Sequence, residues 1–171
     1  TKANIQIDAT GMIVGENVNI TANLANLTGT IEVINNNMLG AKIVDGNIIL
    51  VEKTLGGEGT EASPYVITNL DDLKFFRDHV NAGNNYTGKY IKVTATEIDL
   101  NNEEWTPIGN STTAFQGTFD GDNHTISNLV INGGSSSNQG FFGMTTNGEI
   151  KNVIFNNAKV SGRLNVGVVA G

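Results

Sequence analysis

The sequence predicts an all-β protein built mainly of stacked short strands, a right-handed parallel β-helix. The first observation is a repeat: residues 126–131 and 150–155 share the pattern apolar-x-Asn-apolar-x-apolar and begin 24 residues apart. The second is that short apolar segments alternate with turns rich in Gly, Asn and Asp. One repeat of this length cannot bury its own apolar side chains, so successive copies must stack. We therefore expect Ile126 and Ile150 to lie one above the other.

Asparagine occupies the same place in both copies of the repeat, at Asn128 and Asn152. A buried side-chain amide needs a hydrogen-bond partner. We therefore expect the two residues to take equivalent places in successive layers and to bond along the stacking axis as a structural ladder. This role is favoured over ligand contact. Glycine-bracketed apolar blocks follow each copy, at 140–143 and 167–171.

Composition excludes several classes of function. The 171 residues include 10 Lys and Arg and 17 Asp and Glu, and the resulting net charge of −7 argues against binding nucleic acid or anionic membranes. The absence of cysteine excludes disulfides, thiolate metal sites and a cysteine nucleophile. No apolar run approaches the roughly 20 residues that span a bilayer. We expect no cofactor, no metal and no membrane insertion.

Residues 1–55 are predicted to form short strands joined by turns, and as a whole they resemble a small immunoglobulin-like stalk module, which implies a β-sandwich. Residues 18–24 alternate apolar and polar side chains, as a half-buried strand does. Asp45-Gly46 is a strong two-residue hairpin signal between the strands predicted at 41–44 and 47–51. The segment VGENVNITANL resembles the opening strand of immunoglobulin-like bacterial stalk modules.

A composition break at residues 56–63 predicts a glycine-rich linker, and a second domain follows at 64–171. The P-loop interpretation fails because the lysine and the following Ser or Thr are missing. After a short strand at 64–67 comes a helix, predicted at about 69–82. Its role is to cover the open first layer of the stack, whose backbone edge would otherwise face water.

The helix prediction depends on one apolar face and two termini. Thr68 with Asp71, or Asn69 with Asp72, forms the N-terminal capping pair, and Gly83 closes the helix. Residues at helical spacing form the apolar face: Leu70, Leu73, Phe76 and Val80. From Tyr90 onward, every apolar segment has the short length and turn signals of a strand.

Four segments of the second domain resemble the domain that carries GLUG repeats, found in large surface proteins of gut Bacteroidales and Firmicutes and beside some immunoglobulin-A metallopeptidases. The resemblance covers roughly residues 57–171 and implies a pectin-lyase-like β-helix that is exported and cell-surface associated, without catalytic residues. One departure is the second glycine block, Val-Gly-Val-Val-Ala-Gly, where a GLUG-type block has Gly-Leu. The segments that carry the resemblance are GEGTEASPYVITNLDDLKFFRDHVNAGNNYTGKYIKVTATEIDL, EWTPIG, FQGTFDGDNHTISNLVI and GFFG with GEIKNVIFNNAKVSGRLNVGVVAG.

Two groups of carboxylates are catalytic candidates, because β-helix enzymes cleave polysaccharides with clustered acids. One group is Asp99 with Glu103 and Glu104; the other is Asp120 with Asp122. Asp120-Gly121-Asp122-Asn123 is first of all a turn sequence. His79 and His124 are too few for a histidine metal site. We therefore expect that the protein is not an enzyme. Asp120 and Asp122 remain candidates for ligand contact.

Three aromatic residues are further candidates for ligand contact, because sugars commonly stack on flat rings. They are Tyr86, Tyr90 and Trp105. For Trp105, which precedes Thr106-Pro107, packing in the core is favoured over sugar stacking.

The sequence thus predicts a non-catalytic extracellular module for surface display or adhesion, binding a glycan or host surface protein or serving as a stalk. Further β-helix layers or an oligomeric partner are expected at the C-terminal end. A phage virion fibre or decoration protein is the first alternative, and a stable trimer would favour it. A polysaccharide-cleaving enzyme is the second, and new reducing or unsaturated sugar ends would favour it.

Overall fold

The computed structural model describes residues 53–171 throughout, and before them only the backbone of four strands. The chain divides into two compact units, Thr1–Thr54 and Leu55–Gly171. The described elements are mostly strands with one helix, so the chain is an all-β protein in class. The strands are β1 Ile7–Asp8, β2 Val33–Ile34, β3 Leu39–Val44, β4 Asn47–Glu52, β5 Tyr65–Ile67, β6 Tyr90–Val93, β7 Glu97–Asp99, β8 Thr118–Asp120, β9 Thr125–Ser127, β10 Val130–Asn132, β11 Glu149–Lys151, β12 Ile154–Asn156 and β13 Lys159–Ser161, and the helix is α1 Leu70–Asn81.

In the first unit, β3 and β4 form an antiparallel hairpin whose register joins Val44 to Asn47. This confirms the hairpin predicted at Asp45-Gly46, although the turn residues themselves lie outside the described part. β1 and β2 pair in parallel. The strand predicted at residues 18–24 also lies outside the described residues, and the immunoglobulin-like sandwich stays a prediction.

The second unit consists of three parallel sheets. One sheet has the order β11-β8-β6-β5, the second β12-β9-β7, and the third pairs β10 with β13. Because strands far apart in sequence are neighbours, the chain returns to the same sheet after each circuit. We call the circuits layers: layer 1 is residues 65–89, layer 2 is 90–117, layer 3 is 118–148 and layer 4 is 149–171.

Alternation along the strands places apolar side chains inside the stack. In β6 the pattern is half-buried, buried, half-buried, buried from Tyr90 to Val93. Ile91, Phe119 and Ile150 occupy one register position in successive layers, so they form a column of apolar side chains. Aromatic rings fill the centre: Phe119, Phe141 and Phe142 are each fully buried and lie within 6.0 Å of one another between ring centroids.

The predicted alignment of Ile126 with Ile150 is wrong. Ile126 pairs with Ile98 below it and with Phe155 above it, and Ile150 pairs with Phe119. The true partner of the 126–131 segment is therefore 155–160, which carries the same pattern as Phe-Asn-Asn-Ala-Lys-Val. The pattern specifies a corner between two strands, and layer 4 has two such corners, at Asn152 and Asn157.

The helix lies close to where the sequence places it. Asn69 is the N-cap and accepts a hydrogen bond from the Asp72 backbone N–H at 2.9 Å, so the second of the two predicted capping pairs forms. Thr68 reinforces it by donating its hydroxyl to Asp72 Oδ2 at 2.6 Å. Three residues of the predicted apolar face, Leu73, Phe76 and Val80, are buried, but the fourth, Leu70, is only half-buried. Phe75, which was not assigned to that face, is buried as well.

The helix covers layer 2, as its contacts show. Phe76 reaches the ring of Phe119 in layer 3 at 5.7 Å and packs on the ring of Phe115 in layer 2 at 5.6 Å. Asn81 bridges to the same layer with both groups of its amide: Nδ2 donates to the Pro107 carbonyl at 3.0 Å, and Oδ1 accepts from the Gly109 N–H at 2.8 Å.

The glycine-rich stretch predicted as a linker instead folds onto β5. The Val66 N–H donates to the Gly56 carbonyl, and the Glu58 N–H donates to the Ser63 carbonyl, each at 2.9 Å. Gly57 has φ +92°, and an added Cβ would lie 2.0 Å from the Pro64 oxygen. These glycines allow a tight turn, so residues 56–63 belong to the second unit and the division falls at Thr54.

Candidate functional site

Side-chain amides connect the layers along the outside of the stack. In five hydrogen bonds, an asparagine Nδ2 of a later layer donates to an oxygen of the layer before it. The donors and acceptors are Asn128 to Asp99 (2.8 Å), Asn132 to Glu104 (2.6 Å), Asn152 to Asp120 (3.0 Å), Asn157 to Asn128 (2.5 Å) and Asn165 to Asn138 (2.8 Å). We call these chains of bonds the amide columns.

Asn128 and Asn152 both belong to amide columns, but to different ones. Asn128 lies between Asp99 and Asn157, whereas Asn152 bonds to Asp120. The expectation that the two occupy equivalent places in successive layers is therefore wrong. They share the motif because each forms a left-handed corner, with φ of 58° and 54°, a conformation that asparagine tolerates better than most residues.

The carboxylates that the sequence offers as catalytic candidates bind neighbouring parts of the stack. Asp99 and Asp120 are the acceptors at the base of two columns, and each also accepts a backbone N–H two residues later. Glu104 receives both the backbone N–H and the side-chain amide of Asn132 at 2.6 Å. Glu103 pairs with Lys74 of the helix at 3.1 Å. Each of these acids thus has a structural partner.

These bonds change the acidity of two groups. The Asn128 amide, followed by the Asn101 N–H, holds the pKa of Asp99 below its usual value. For Asp120, burial opposes ionisation, but the Asp122 N–H, the Asn152 amide and the charges of Lys151 and Lys92 outweigh it, and the pKa is lowered. Both residues therefore act as acceptors at neutral pH, which the columns require.

The outer face of the four-stranded sheet carries a cleft of about 170 Å³. Register puts Lys92, Asp120 and Lys151 side by side on successive strands, about 4.8 Å apart. Asp122 pairs with Lys92 at 3.0 Å and Glu149 with Lys151 at 3.2 Å. The cleft is lined by Glu61, Pro64, Tyr90, Ile91, Lys92, Thr118, Asp120 and Lys151.

A second cavity, of about 340 Å³, lies beside the C-terminal end of the helix. Tyr86 lines it in a left-handed backbone conformation, φ 59°, which is uncommon for an aromatic residue. Its hydroxyl lies 2.7 Å from His79 Nδ1, and burial raises its pKa far above the usual tyrosine value. Tyr65 and Lys89 also line it, with the Lys89 ammonium 5.9 Å from the centre of the Tyr65 ring.

Trp105 is a core residue, and its candidate role in ligand contact does not fit the structure. It is 3% exposed. The ring stacks on Phe141 at 5.2 Å between centroids, the Arg77 guanidinium lies 4.7 Å from the ring centre, and Nε1 donates to the Phe141 carbonyl at 3.2 Å. A ring this deeply buried offers no face on which a sugar could stack.

The structure thus brings together some of the candidates and separates others. Tyr90 and Asp120 share the outer cleft, while Tyr86 lines the other cavity. Lys92 and Lys151 were not among the residues predicted to contact a ligand. The alternation of β6 is visible in the sequence and points Lys92 outward. Its neighbour, Asp120, could not be predicted, because that contact depends on the register between layers.

The described residues offer neither a metal site nor a membrane span. No group of three or more His, Cys, Asp or Glu in that part of the chain is placed to hold a metal ion. Among the same residues, the helix is neither long nor apolar enough to cross a membrane.

Two curated proteins are similar to this chain over its larger part. Halomucin of Haloquadratum walsbyi is 40% identical over 120 residues, which cover 67% of this chain and 1% of halomucin. A Gly-rich membrane protein of Evansella cellulosilytica is 31% identical over 100 residues, which cover 57% of this chain and 12% of that protein. The chain therefore spans only a small part of the length of either relative.

No protein-family model matches the chain, and no solved structure matches it either. The resemblance to the GLUG-repeat domain therefore stays a prediction. The class that the fold defines is an all-β protein of stacked parallel strands with one covering helix.

Proposed function

We propose that residues 55–171 form a right-handed parallel β-helix that serves as a non-catalytic, extracellular module for surface display or adhesion. The observation that carries this proposal is that the acidic side chains on the outside of the stack bind asparagine amides. Asp99, Glu104 and Asp120 accept amides from the next layer. In a glycosidase, by contrast, two carboxyls face a substrate groove. These three acids thus hold successive layers together.

The outer cleft is the surface that we propose to contact a glycan or host protein. Tyr90 offers an aromatic side chain, and Lys92, Asp120 and Lys151 offer donors and acceptors in a row on adjacent strands. Rigid strands hold these groups at fixed spacing, which suits a ligand with a regular repeat, such as a polysaccharide.

Location at a bacterial cell surface is part of the proposal. It is supported by the relative whose name calls it a membrane protein, and by the small share of both relatives that the chain covers. A module of a long surface protein is expected to match only a small part of that protein's length, as this chain does.

The proposal is tested by screening the soluble chain against glycan arrays and immobilised matrix proteins. We expect binding that Tyr90→Ala and Lys151→Ala each weaken at least about tenfold, because a lost hot-spot contact costs about 2 kcal/mol or more. Lys159→Ala is the matched control, since Lys159 is an exposed lysine of β13, in a different sheet.

Blank screens at high protein concentration would count against adhesion. New reducing or unsaturated ends after incubation with polysaccharides would replace the proposal with an enzyme.

A further inference from the structure

The cavity beside the C-terminal end of α1, which we call the helix-end cavity, has two tyrosine rings in its wall. The rings of Tyr65 and Tyr86 are perpendicular, with centroids 6.0 Å apart. Tyr86 packs on Phe76 at 5.1 Å between ring centroids, and its hydroxyl lies 2.7 Å from His79 Nδ1. The Gly59 backbone lies so close to Tyr65 that an added Cβ would be 2.3 Å from the ring. Both rings are therefore held in place before any ligand arrives.

Lys89 is a half-buried lysine of the same wall, and it has no acidic partner. Its ammonium lies 5.9 Å from the centre of the Tyr65 ring, but no carboxylate of the described residues lies within ion-pair distance of it. The other half-buried lysines of the second unit, Lys74, Lys92 and Lys151, each pair with a carboxylate at 3.0 to 3.2 Å. A partly buried charge is stabilised by a partner, so the Lys89 ammonium favours an anion from outside the chain.

The surroundings of Lys89 are neutral. Among the described residues that line the helix-end cavity, none is an acid, whereas Glu61 and Asp120 line the outer cleft. Asn85 uses its Oδ1 to accept the Thr87 N–H at 3.1 Å, and within the described residues its Nδ2 donates no hydrogen bond. Thr87 is exposed at the mouth of the cavity. The cavity thus combines one cation with an amide donor, a hydroxyl and aromatic rings.

The negative end of the helix dipole is weakened by capping, so it does little to repel an anion here. The Val80 carbonyl accepts from the Gly83 N–H at 3.0 Å. The His79 carbonyl accepts from both the N–H and Nδ2 of Asn84, at 3.2 and 3.1 Å. Because the dipole acts mainly through unsatisfied terminal carbonyls, these bonds reduce the negative charge that α1 presents to the cavity.

We propose that the helix-end cavity binds one uronic acid residue of a glycan, whose carboxylate pairs with Lys89 and whose ring packs against Tyr65 and Tyr86. The Asn85 amide and the Thr87 hydroxyl supply hydrogen bonds to the sugar hydroxyls. Its volume of about 340 Å³ lies at the lower end of small-molecule pockets, which suits a single sugar ring. The helix-end cavity and the outer cleft have no lining residue in common, so the inference goes beyond the proposed function and does not depend on it.

The test titrates the full chain with methyl glucuronoside and follows the backbone amides by two-dimensional NMR. We expect a dissociation constant on the order of 1 mM, as for other ligands of this size, with the largest shifts at residues 83–89. Methyl glucoside has the ring without the carboxylate, and acetate has the carboxylate without the ring. Each should bind at least about tenfold more weakly, because each lacks one half of the proposed contacts.

Variants of Lys89 isolate the charge. Lys89→Gln keeps a polar side chain but removes the cation, so we expect methyl glucuronoside to bind about tenfold more weakly or worse. Lys89→Arg keeps the cation and should retain most of the binding. Lys159→Gln is the matched control, because it makes the same change in net charge at an exposed lysine of another sheet. If Lys89→Gln failed to fold, Lys89→Arg and the map of amide shifts would still decide the matter.

Each contrary result would overturn a stated part of the proposal. Equal binding of methyl glucoside would overturn the role of the carboxylate, and equal binding of acetate would overturn the sugar. Shifts confined to the residues of the outer cleft would place the ligand there instead. The absence of shifts at residues 83–89 with roughly 50 mM methyl glucuronoside, where a site of this affinity is nearly full, would overturn the site itself. Failure of Lys151→Ala to weaken glycan binding would count against the outer cleft and leave these outcomes unchanged.

Discussion

At many corners of the stack, one residue must meet two structural requirements at once. A corner between two strands needs a residue that accepts positive φ, and the outside of the stack needs a group that bonds to the layer below. Asparagine meets both, and it supplies most of the non-glycine residues with positive φ in the described part of the chain. This is the physical reason for a sequence so rich in Asn.

The base of the columns makes stability sensitive to acid. Because the pKa values of Asp99 and Asp120 are lowered by folding, their stabilisation is present above the unfolded pKa of about 4 and is lost as pH falls through the folded values. We expect the thermal midpoint to be nearly constant from pH 5 to 7 and to fall below pH 4.

The double variant Asp99→Asn, Asp120→Asn keeps an acceptor oxygen at each base and should lose stability less steeply between pH 5 and 2. The pair Glu58→Gln, Glu97→Gln removes two exposed acids that lie outside the amide columns. Its acid profile should follow the unchanged chain. If both pairs behaved alike, the columns would not be the source of acid sensitivity.

Trp105 is a core residue whose removal should destabilise the protein strongly. Trp105→Ala deletes the stack on Phe141, the bond to its carbonyl and the Arg77 contact, so we expect a loss of about 3–5 kcal/mol in the free energy of unfolding. Urea titration measures it. Trp105→Phe keeps the stack and should cost less, and a loss below about 1 kcal/mol for the alanine variant would contradict the assigned core role.

At the scale of elements, contacts between layers constrain the sequence more than the strands themselves do. Most strands of the second unit have only three residues, too few to be stable alone. Gly121 shows the constraint. A Cβ there would lie 2.5 Å from the Asn152 carbonyl oxygen in the layer above.

Gly121→Ala should therefore destabilise the protein by about 1–3 kcal/mol, since the next layer must move away. Gly134→Ala is the control. Gly134 has φ +54°, and an added Cβ meets nothing within 4 Å, so only the conformational cost of about 1–2 kcal/mol applies. Hydrogen exchange separates the two, because only the first should speed exchange of the Gly121 and Asn123 amides that bond to layer 4.

The covering helix depends on its N-cap. Asn69→Ala should lower the free energy of unfolding by about 1 kcal/mol, whereas Asn69→Asp keeps the acceptor and should be close to neutral. Denaturant unfolding of both variants checks this. Equal losses would mean that the Asn69 side chain does not cap α1.

For the whole molecule, the division at Thr54 predicts that the second unit is stable by itself. Residues 55–171 expressed alone should unfold cooperatively at the temperature seen for that unit in the full chain. The cut must fall before Leu55, which is buried, and Gly56, which bonds to Val66. A shorter chain beginning at Pro64, after the run predicted as a linker, should be clearly less stable.

Local preferences alone were enough to predict the helix and the β3–β4 hairpin. They placed α1 within a residue of its observed ends and the β3–β4 hairpin in its observed register. They also indicated that asparagines would bond between layers. These properties depend on a few neighbouring residues, which a single sequence displays.

The pairing of strands and corners between successive layers could be determined only from the folded molecule. The motif at 126–131 recurs at both 150–155 and 155–160, and a pattern so short cannot choose between them. The choice follows from burial: pairing Ile126 with Phe155 and Ile150 with Phe119 keeps all four apolar side chains on the interior face of the stack. The same register sets Lys92, Asp120 and Lys151 side by side. Pairings across about 30 residues are a property of the packed layers, so the outer cleft and the amide columns could be seen only there.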